Sequence, residues 1–448
     1  MKNVNCSITY ATENDTDIRS SIRESLTKTG KGYVKQNIPN ILYIFENDPF
    51  FAGKFRFNEL TERIDLVGDF DWKRSGTSIT DTDMNYINMY LDSHYDINSD
   101  KRIMQALNIA ANNNRYHPVR ERLKLLVWDG TPRIRYALHR FLGADTSDLT
   151  YESLKLCMLG AVSRVFDPGC KFEYMLCLVG GQGAGKSSFF RLLAIKDEWF
   201  SDDIRKLDDD NIYRKLQGHW IIEMSEMIAT SSAKSIEEIK SFISRQKETY
   251  KVPYETHPAD RPRQCIFGGT SNKKQFLPGD RSGNRRFLPI TCHPEEAKVH
   301  ILDDEEASRA YILQMWAEIM EIYRRGDFKL CLPDDMSDQM KEHQQEFIPE
   351  DSDATAILGF LDETLEEYVC SKMLYHEALG HTEYETPQKW ELNAINDIMI
   401  TSAYGWEQGP QHRFDKYGQQ RSWIRKGYDA DGGFIHISDE ALKDIPFR

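Results

Sequence analysis

At 448 residues with 40% apolar content, the chain is long enough for two to four domains with cores of their own. No run approaches the roughly 18 apolar residues of a membrane span, and the start Met1-Lys-Asn-Val-Asn-Cys6 lacks a charged-then-apolar signal segment, so a cytoplasmic protein is expected. A net charge of −14 argues against a protein that coats nucleic acid, and eight cysteines without a C-x-x-C pair or zinc-spaced histidines read as reduced, mostly buried thiols.

In chain order, residues 1–30 are polar and read as a mobile tail. The run Ile41–Phe57 alternates in a way that suits strands or short helices around a turn at Asn47-Asp-Pro49. Apolar residues then recur at helical spacing over Asp81–Tyr95 and Ser99–Asn113. Residues 31–150 are therefore expected to form a mostly helical domain, with a connector from His117-Pro118 to Pro132-Arg133 punctuated by prolines and turns. His117 and His139 read as packing or surface residues, and helices predicted over Ile134–Leu142 and Leu154–Phe166 lead to the stretch on which everything else depends.

That stretch is Tyr174–Leu193. Met175–Val179 reads as a short strand buried on both faces, Gly180-Gly-Gln-Gly-Ala-Gly-Lys-Ser187 fits the phosphate-loop pattern G-x-x-x-x-G-K-[ST], and helical spacing restarts at Ser188. Glycines let backbone N–H groups curl around anionic oxygens, and the helix start adds its positive dipole end. The expected nucleotide site is thus Gly180, Gly181, Gln182, Gly183, Ala184, Gly185, Lys186, Ser187 and Ser188. Lys186 would reach the β- and γ-phosphates, and Ser187 would ligate Mg2+. A strand before and a helix after make a chance glycine turn a poor account, so the chain is expected to bind a nucleoside triphosphate such as ATP.

After acidic, helix-prone residues, Trp220-Ile-Ile-Glu-Met-Ser-Glu226 fits a second buried strand that ends in carboxylate. Such sites need one acid to position Mg2+ and often another to polarise the attacking water. Glu223 is the metal-side candidate; Glu226 would face the opposite way in a continued strand and can help only if the chain turns after Met224. Ser235–Arg245 reads as a helix with a capping box of Ser235 and Glu238. Gln246–Thr256 follows as a hairpin whose Lys247, Tyr250, Lys251 and Tyr254 mix cations with aromatics, as a grip on unpaired nucleic acid does; an ordinary exposed hairpin is the plainer alternative. Gln264–Asn272 is a third buried strand that would bring Asn272 to the γ-phosphate or the attacking water. Arg285 or Arg286, before a further strand and after a glycine loop, is placed to cross a subunit boundary and stabilise the transferring phosphoryl group.

Ala307–Tyr323 closes the predicted ATPase domain, 151–345, as an amphipathic helix. In 346–448, helices over Ala356–Tyr368 and Ala394–Ala403 precede basic, glycine-turned strands, which suggests a winged helix or else a protein-docking domain with a basic edge. Charge is unevenly spread: Lys240–Ile290 holds eleven basic residues against four acidic, and Gln411–Gly427 five against one. Two basic islands in an acidic chain suggest local DNA contacts.

Together and in this order, these motifs resemble the virulence-associated protein E family of phage- and island-encoded ATPases. The resemblance covers roughly 30–350: the connector from His117, Asp167-Pro-Gly-Cys-Lys-Phe172, Gly180–Ser187, Trp220–Glu226, and the block Arg263-Gln-Cys265, Thr270-Ser-Asn272 and Gly283-Asn-Arg-Arg-Phe287. That family is similar to superfamily III replicative helicases, which are AAA+ ATPases. The resemblance implies an α/β fold with a P-loop AAA+ core, and a ring, usually hexameric, that hydrolyses ATP at subunit boundaries and moves single-stranded DNA with a central hairpin. Carried over, Lys186 and Ser187 serve nucleotide and Mg2+, Glu223 is the acidic strand residue, Asn272 the sensor, and Arg285 or Arg286 the finger, with Lys247 and Lys251 facing the pore. Members of the superfamily often carry adjacent acids at the second strand, whereas here they are Glu223 and Glu226, which leaves the general base open.

The expectation is a DNA-dependent ATPase and helicase for phage or mobile-island DNA in a bacterial host, acting on single-stranded and forked DNA beside a primase or other replication partner. No primase acidic triad is present in the chain. Two other readings stand beside it: an ATP-regulated origin-binding initiator without significant unwinding, and a signalling or defence ATPase indifferent to DNA.

Overall fold

The structure is a computed structural model and describes residues 13–204, 212–226, 233–250, 259–277, 281–349, 352–429 and 433–434. The chain divides after Ile348 into two compact units. Among the described residues no helix is long and apolar enough to cross a membrane. The cysteines described are free; five are buried, Cys170 is half-buried and Cys331 is exposed.

Helix α1 (Glu13–Ser25) lies in the segment expected to be a mobile tail. Its Ile22, with Leu26 beyond it, is buried in the N-terminal core and Ile18 packs against that core, because residues four apart share one helix face. Helix α2 (Ile38–Asn47) is capped by Asn37, whose side chain accepts the Asn40 N–H, with proline in the first turn. Strands β1 (Phe55–Asn58) and β2 (Arg63–Leu66) pair antiparallel. Helices α3 (Asp81–Tyr95) and α4 (Asp100–Asn113) follow, and β3 (Arg115–Tyr116) joins β1 in parallel. The domain expected to be mostly helical therefore also contains a three-stranded sheet. Strands of two to four residues are too short for alternation to announce them.

The connector becomes α5 (Pro118–Lys124), followed by α6 (Ile134–Leu142) and α7 (Asp148–Phe166), which starts at a Ser147 cap. Then come β4 (Met175–Val179), α8 (Lys186–Leu193), β5 (Phe200–Ser201), α9 (Ile212–Leu216) and β6 (Ile221–Ser225). Helix α10 (Ala233–Ser244) begins two residues before Ser235, so the expected capping box falls inside the helix. The hairpin β7 (Lys247–Tyr250) and β8 (Ala259–Pro262), strands β9 (Ile266–Ser271) and β10 (Phe287–Thr291), and helices α11 (Glu305–Arg325) and α12 (Asp334–Gln344) complete the unit.

A five-stranded sheet in the order β10-β4-β9-β6-β5 is parallel throughout. Leu176, Leu178, Ile221, Ile266, Leu288 and Ile290 face one core, while Met175, Cys177, Val179, Ile222, Met224 and Phe267 face another. That period of two with both faces buried is why these strands read as unbroken apolar runs. Close packing is strict at Gly268, where an added Cβ would stand 2.4 Å from the Phe190 ring. Because every strand runs the same way, their C-terminal ends share one edge. In open parallel sheets that edge is where ligands bind, at the point where the chain's crossovers diverge. Here β4 leads by way of α8 to the far edge strand β5, whereas β10 lies on the other side of β4.

The second unit has its own core around Ile357, Leu361, Leu374, Ile395 and Trp406. Helix α13 (Ser352–Glu363) leads to β11 (Tyr368–Val369), the short α14 (Ser371–Met373) continued as a π-turn, α15 (Lys389–Thr401), and the hairpin β12 (Trp406–Phe414) and β13 (Gly418–Arg425). Strand β13 lies between β11 and β12. The helix expected to run from Ala356 to Tyr368 stops at Glu363, and Tyr368 belongs to the sheet.

Candidate functional site

The loop after β4 turns into α8 through Gly185 at φ +83°, a left-handed conformation that glycine adopts without strain. An added Cβ there would meet Ile301 Cγ2 at 3.2 Å. Lys186, the first helical residue, folds back over the loop. Its Nζ donates to the Gly180 and Gly181 carbonyls, both at 2.7 Å, and to Asn272 Oδ1 at 3.0 Å. Burial holds the Lys186 ammonium below its ordinary pKa, against the pull of Glu226 and Glu223.

Ser187 Oγ donates to Glu223 Oε1 at 2.7 Å, and Thr270 Oγ1 donates to the same oxygen at 2.6 Å. Glu223 Oε2 is buried without a hydrogen-bond partner. Burial raises the Glu223 pKa, with Asp202 adding to the rise and the two hydroxyls opposing it. A cavity of about 260 Å³ lined by Ser187, Asp202, Ile204, Glu223 and Ser225 opens beside this carboxylate. A hydroxyl, an orphaned carboxylate oxygen and a second acid around open space suit a hard divalent cation that keeps several waters. No group of three or more acidic, histidine or cysteine ligands occurs among the described residues. The donor set therefore fits Mg2+ shared with phosphates better than an ion caged wholly by protein.

The chain does turn after the strand. Glu226 has φ +53°, its N–H donates to the Thr270 carbonyl at 2.9 Å, and its Oε1 accepts the Asn272 N–H at 2.7 Å. Lys186, Ser187, Glu226, Thr270 and Asn272 thereby line one cleft of about 400 Å³ with the loop residues Gln182–Gly185, and Ser188, Ser225, His300 and Leu302 complete its wall. Glu223 faces the adjoining cavity, not this cleft. Thr270, Ser225, Asp202, His300 and Leu302 were not among the expected site residues. Their types are common and nothing in their local spacing marks them.

The two arginines separate clearly. Arg286 is mostly buried, with Nε donating to Ser244 Oγ at 2.9 Å and a guanidinium nitrogen 3.4 Å from Glu173. Arg285 keeps 66% of its side chain exposed and stands 3.7 Å from the same carboxylate. Neither lines the cleft of its own chain.

A hairpin forms, but its second strand, Ala259–Pro262, lies beyond the expected Gln246–Thr256, with Lys247 opposite Pro262 and Tyr250 opposite Ala259; Lys251 and Tyr254 lie outside the described residues. Its base is fixed from inside. Arg263 is buried against Glu248 and the Phe242 carbonyl, and Arg261 pairs with Glu62 of the N-terminal sheet. Lys247 is exposed but paired with Asp260. Three carboxylates remote in sequence offset part of the basic island around it: Glu62 pairs with Arg261, Glu346 with Lys274, and Glu173 stands beside both Arg285 and Arg286. Counting charges along that segment therefore overstated the positive surface.

His117 is a packing residue. Its Nδ1 accepts the Arg120 N–H at 3.2 Å and Nε2 meets Gln264 Oε1 at 2.6 Å, while burial lowers its pKa to about 4.

A family model described as Virulence-associated protein E-like domain matches residues 123–349, about half of the chain. In shape the chain is similar to solved structures of the NrS-1 C-terminal region. One apo structure is 14% identical with a TM-score of 0.47, covering 83% of this chain and 95% of that one. An A-form apo structure is also 14% identical, with a TM-score of 0.44 and coverage of 83% and 96%. No curated protein matches the chain.

Proposed function

The chain belongs to the virulence-associated protein E-like family, and from that premise we propose that it is an ATP-hydrolysing, helicase-like motor of phage or mobile-island DNA replication, with a P-loop AAA+ core like that of superfamily III helicases. The observation that carries this reading is the cleft itself. Lys186, Glu226 and Asn272 meet there at the ends of three parallel strands and their following loops, while Arg285 lies exposed outside it.

The loop amides and Lys186 bind the phosphates, and Lys186 exchanges the Gly180 and Gly181 carbonyls for phosphate oxygens. Ser187 and Glu223 would hold Mg2+, which supplies charge neutralisation at the β- and γ-phosphates. Glu226, held by the Asn272 N–H, orients and polarises the attacking water, and the Asn272 side chain reads the γ-phosphate once Lys186 leaves it. That assigns the general base to Glu226, since Glu223 is engaged by two hydroxyls. A neighbouring copy contributes Arg285, with Arg286 as its structural support. This requires a ring, taken as a hexamer, with Lys247, Tyr250, Lys251 and Tyr254 directed at single-stranded DNA in the centre and a primase or other replication protein as partner in the bacterial cytoplasm.

In the second unit, the helix–strand–helix–helix–hairpin order with β13 central supports the winged-helix reading, and Arg413 and Arg421 are exposed on its hairpin. This feature favours the alternative, an ATP-regulated origin-binding initiator. One experiment separates the two readings: ATPase rate with and without single-stranded DNA, followed by displacement of a strand from a fork. Stimulation and displacement, both lost in Lys186→Ala, support the motor. Negligible turnover with tight duplex binding would sink it in favour of the initiator.

A further inference from the structure

We propose that the turn 300–302 is the nucleoside wall of the cleft, with Leu302 packing on the base of the bound nucleotide and His300 donating to its phosphates. This rests on the reading of the cleft as a triphosphate site. Among the described lining residues Leu302 is the one large apolar side chain, and it is 42% exposed. The glycine loop and Lys186 account for the phosphates alone. Nucleotide pockets pair an apolar wall with a few placed polar groups, and among the described lining residues Leu302 is the one that offers such a wall.

The turn is built to hold both side chains outward. Ile301 between them is buried, close to the loop at Gly185. The His300 N–H donates to Asp303 Oδ2 at 3.1 Å, and the Lys298 and Val299 N–H groups donate to the Arg140 carbonyl. The Leu302 N–H donates to His300 Nδ1 at 3.3 Å, so in the neutral ring the proton sits on Nε2. That Nε2 lies 3.5 Å from where a Cβ of Gly185 would be, which sets an N–H donor directly against the loop. His300 thus extends the donor set of the loop, and Leu302 lines the same cleft two residues on.

Calorimetric titration of the full chain with ATPγS and with inorganic tripolyphosphate, both with Mg2+, tests the assignment. Leu302→Ala should weaken ATPγS about tenfold, as loss of one apolar contact surface does, and leave tripolyphosphate unchanged. Leu302→Met should restore most of the loss. His300→Ala should weaken both probes by a similar factor. The proposal is overturned if Leu302→Ala binds ATPγS as wild type does, or if it loses both probes equally. Should the wild-type chain bind neither probe, the triphosphate reading itself falls first, and the nucleoside wall with it.

Discussion

At Glu223 one carboxylate oxygen accepts two hydroxyls while the other is buried with no partner. A buried anion left half-satisfied costs stability, and the arrangement makes sense when a cation supplies the missing interaction. His117 shows the opposite economy. Both ring nitrogens are engaged and the ring is kept neutral, with its pKa lowered from 6.5 to about 4. As pH falls below 6.5 the unfolded chain takes up this proton and the folded chain does not, so stability is full above that point and declines down to about pH 4. The loss from this one group is at most roughly 3 kcal/mol, at about 1.4 kcal/mol per pH unit. In urea titrations His117→Gln should therefore lose less stability than wild type between pH 7 and 4; parallel losses would remove His117 as the source. The partners of neither group could be found from sequence, because Thr270 and Gln264 lie 47 and 147 residues from the groups they hold.

Between elements, the decisive feature is how charges are shared. The segment from α10 to β10 carries a strong excess of basic residues, but the turn between β1 and β2, the start of β4 and the end of α12 bring Glu62, Glu173 and Glu346 to it. Arg286 spans from β10 to α10 through Ser244, while Arg285 extends into solvent. Arg286→Ala should consequently lower unfolding stability by about 1.5–3 kcal/mol, as loss of a charged hydrogen bond does. Arg285→Ala should leave thermal stability unchanged and abolish turnover while sparing nucleotide binding. Equal destabilisation by the two substitutions would contradict the assignment. The sequence does not choose between two adjacent arginines, since neighbours in a chain share their local pattern and differ only in what surrounds them once folded.

For the whole molecule, the parallel sheet gathers loops from β4, β6 and β9 at one edge, yet no cationic finger reaches the cleft from the same chain among the described lining residues. On the proposed reading, another copy completes the site. Neither Lys186→Ala nor Arg285→Ala should hydrolyse ATP alone, but a mixture should regain some activity at interfaces that pair an intact loop with an intact arginine. A mixture as dead as its parts, in a protein shown to assemble, would place the finger elsewhere. The sequence alone determined the strand, glycine loop and helix of residues 175–193 and the apolar runs of β6 and β9. Each of these is specified by contiguous residues whose spacing sets the local backbone. Only the tertiary structure decided which carboxylate faces the cleft, which arginine is left exposed, how much of the basic island is neutralised, and that a turn beyond β10 walls the site. Those depend on groups far apart in the chain that meet only once the sheet has formed, and no local pattern records such a meeting.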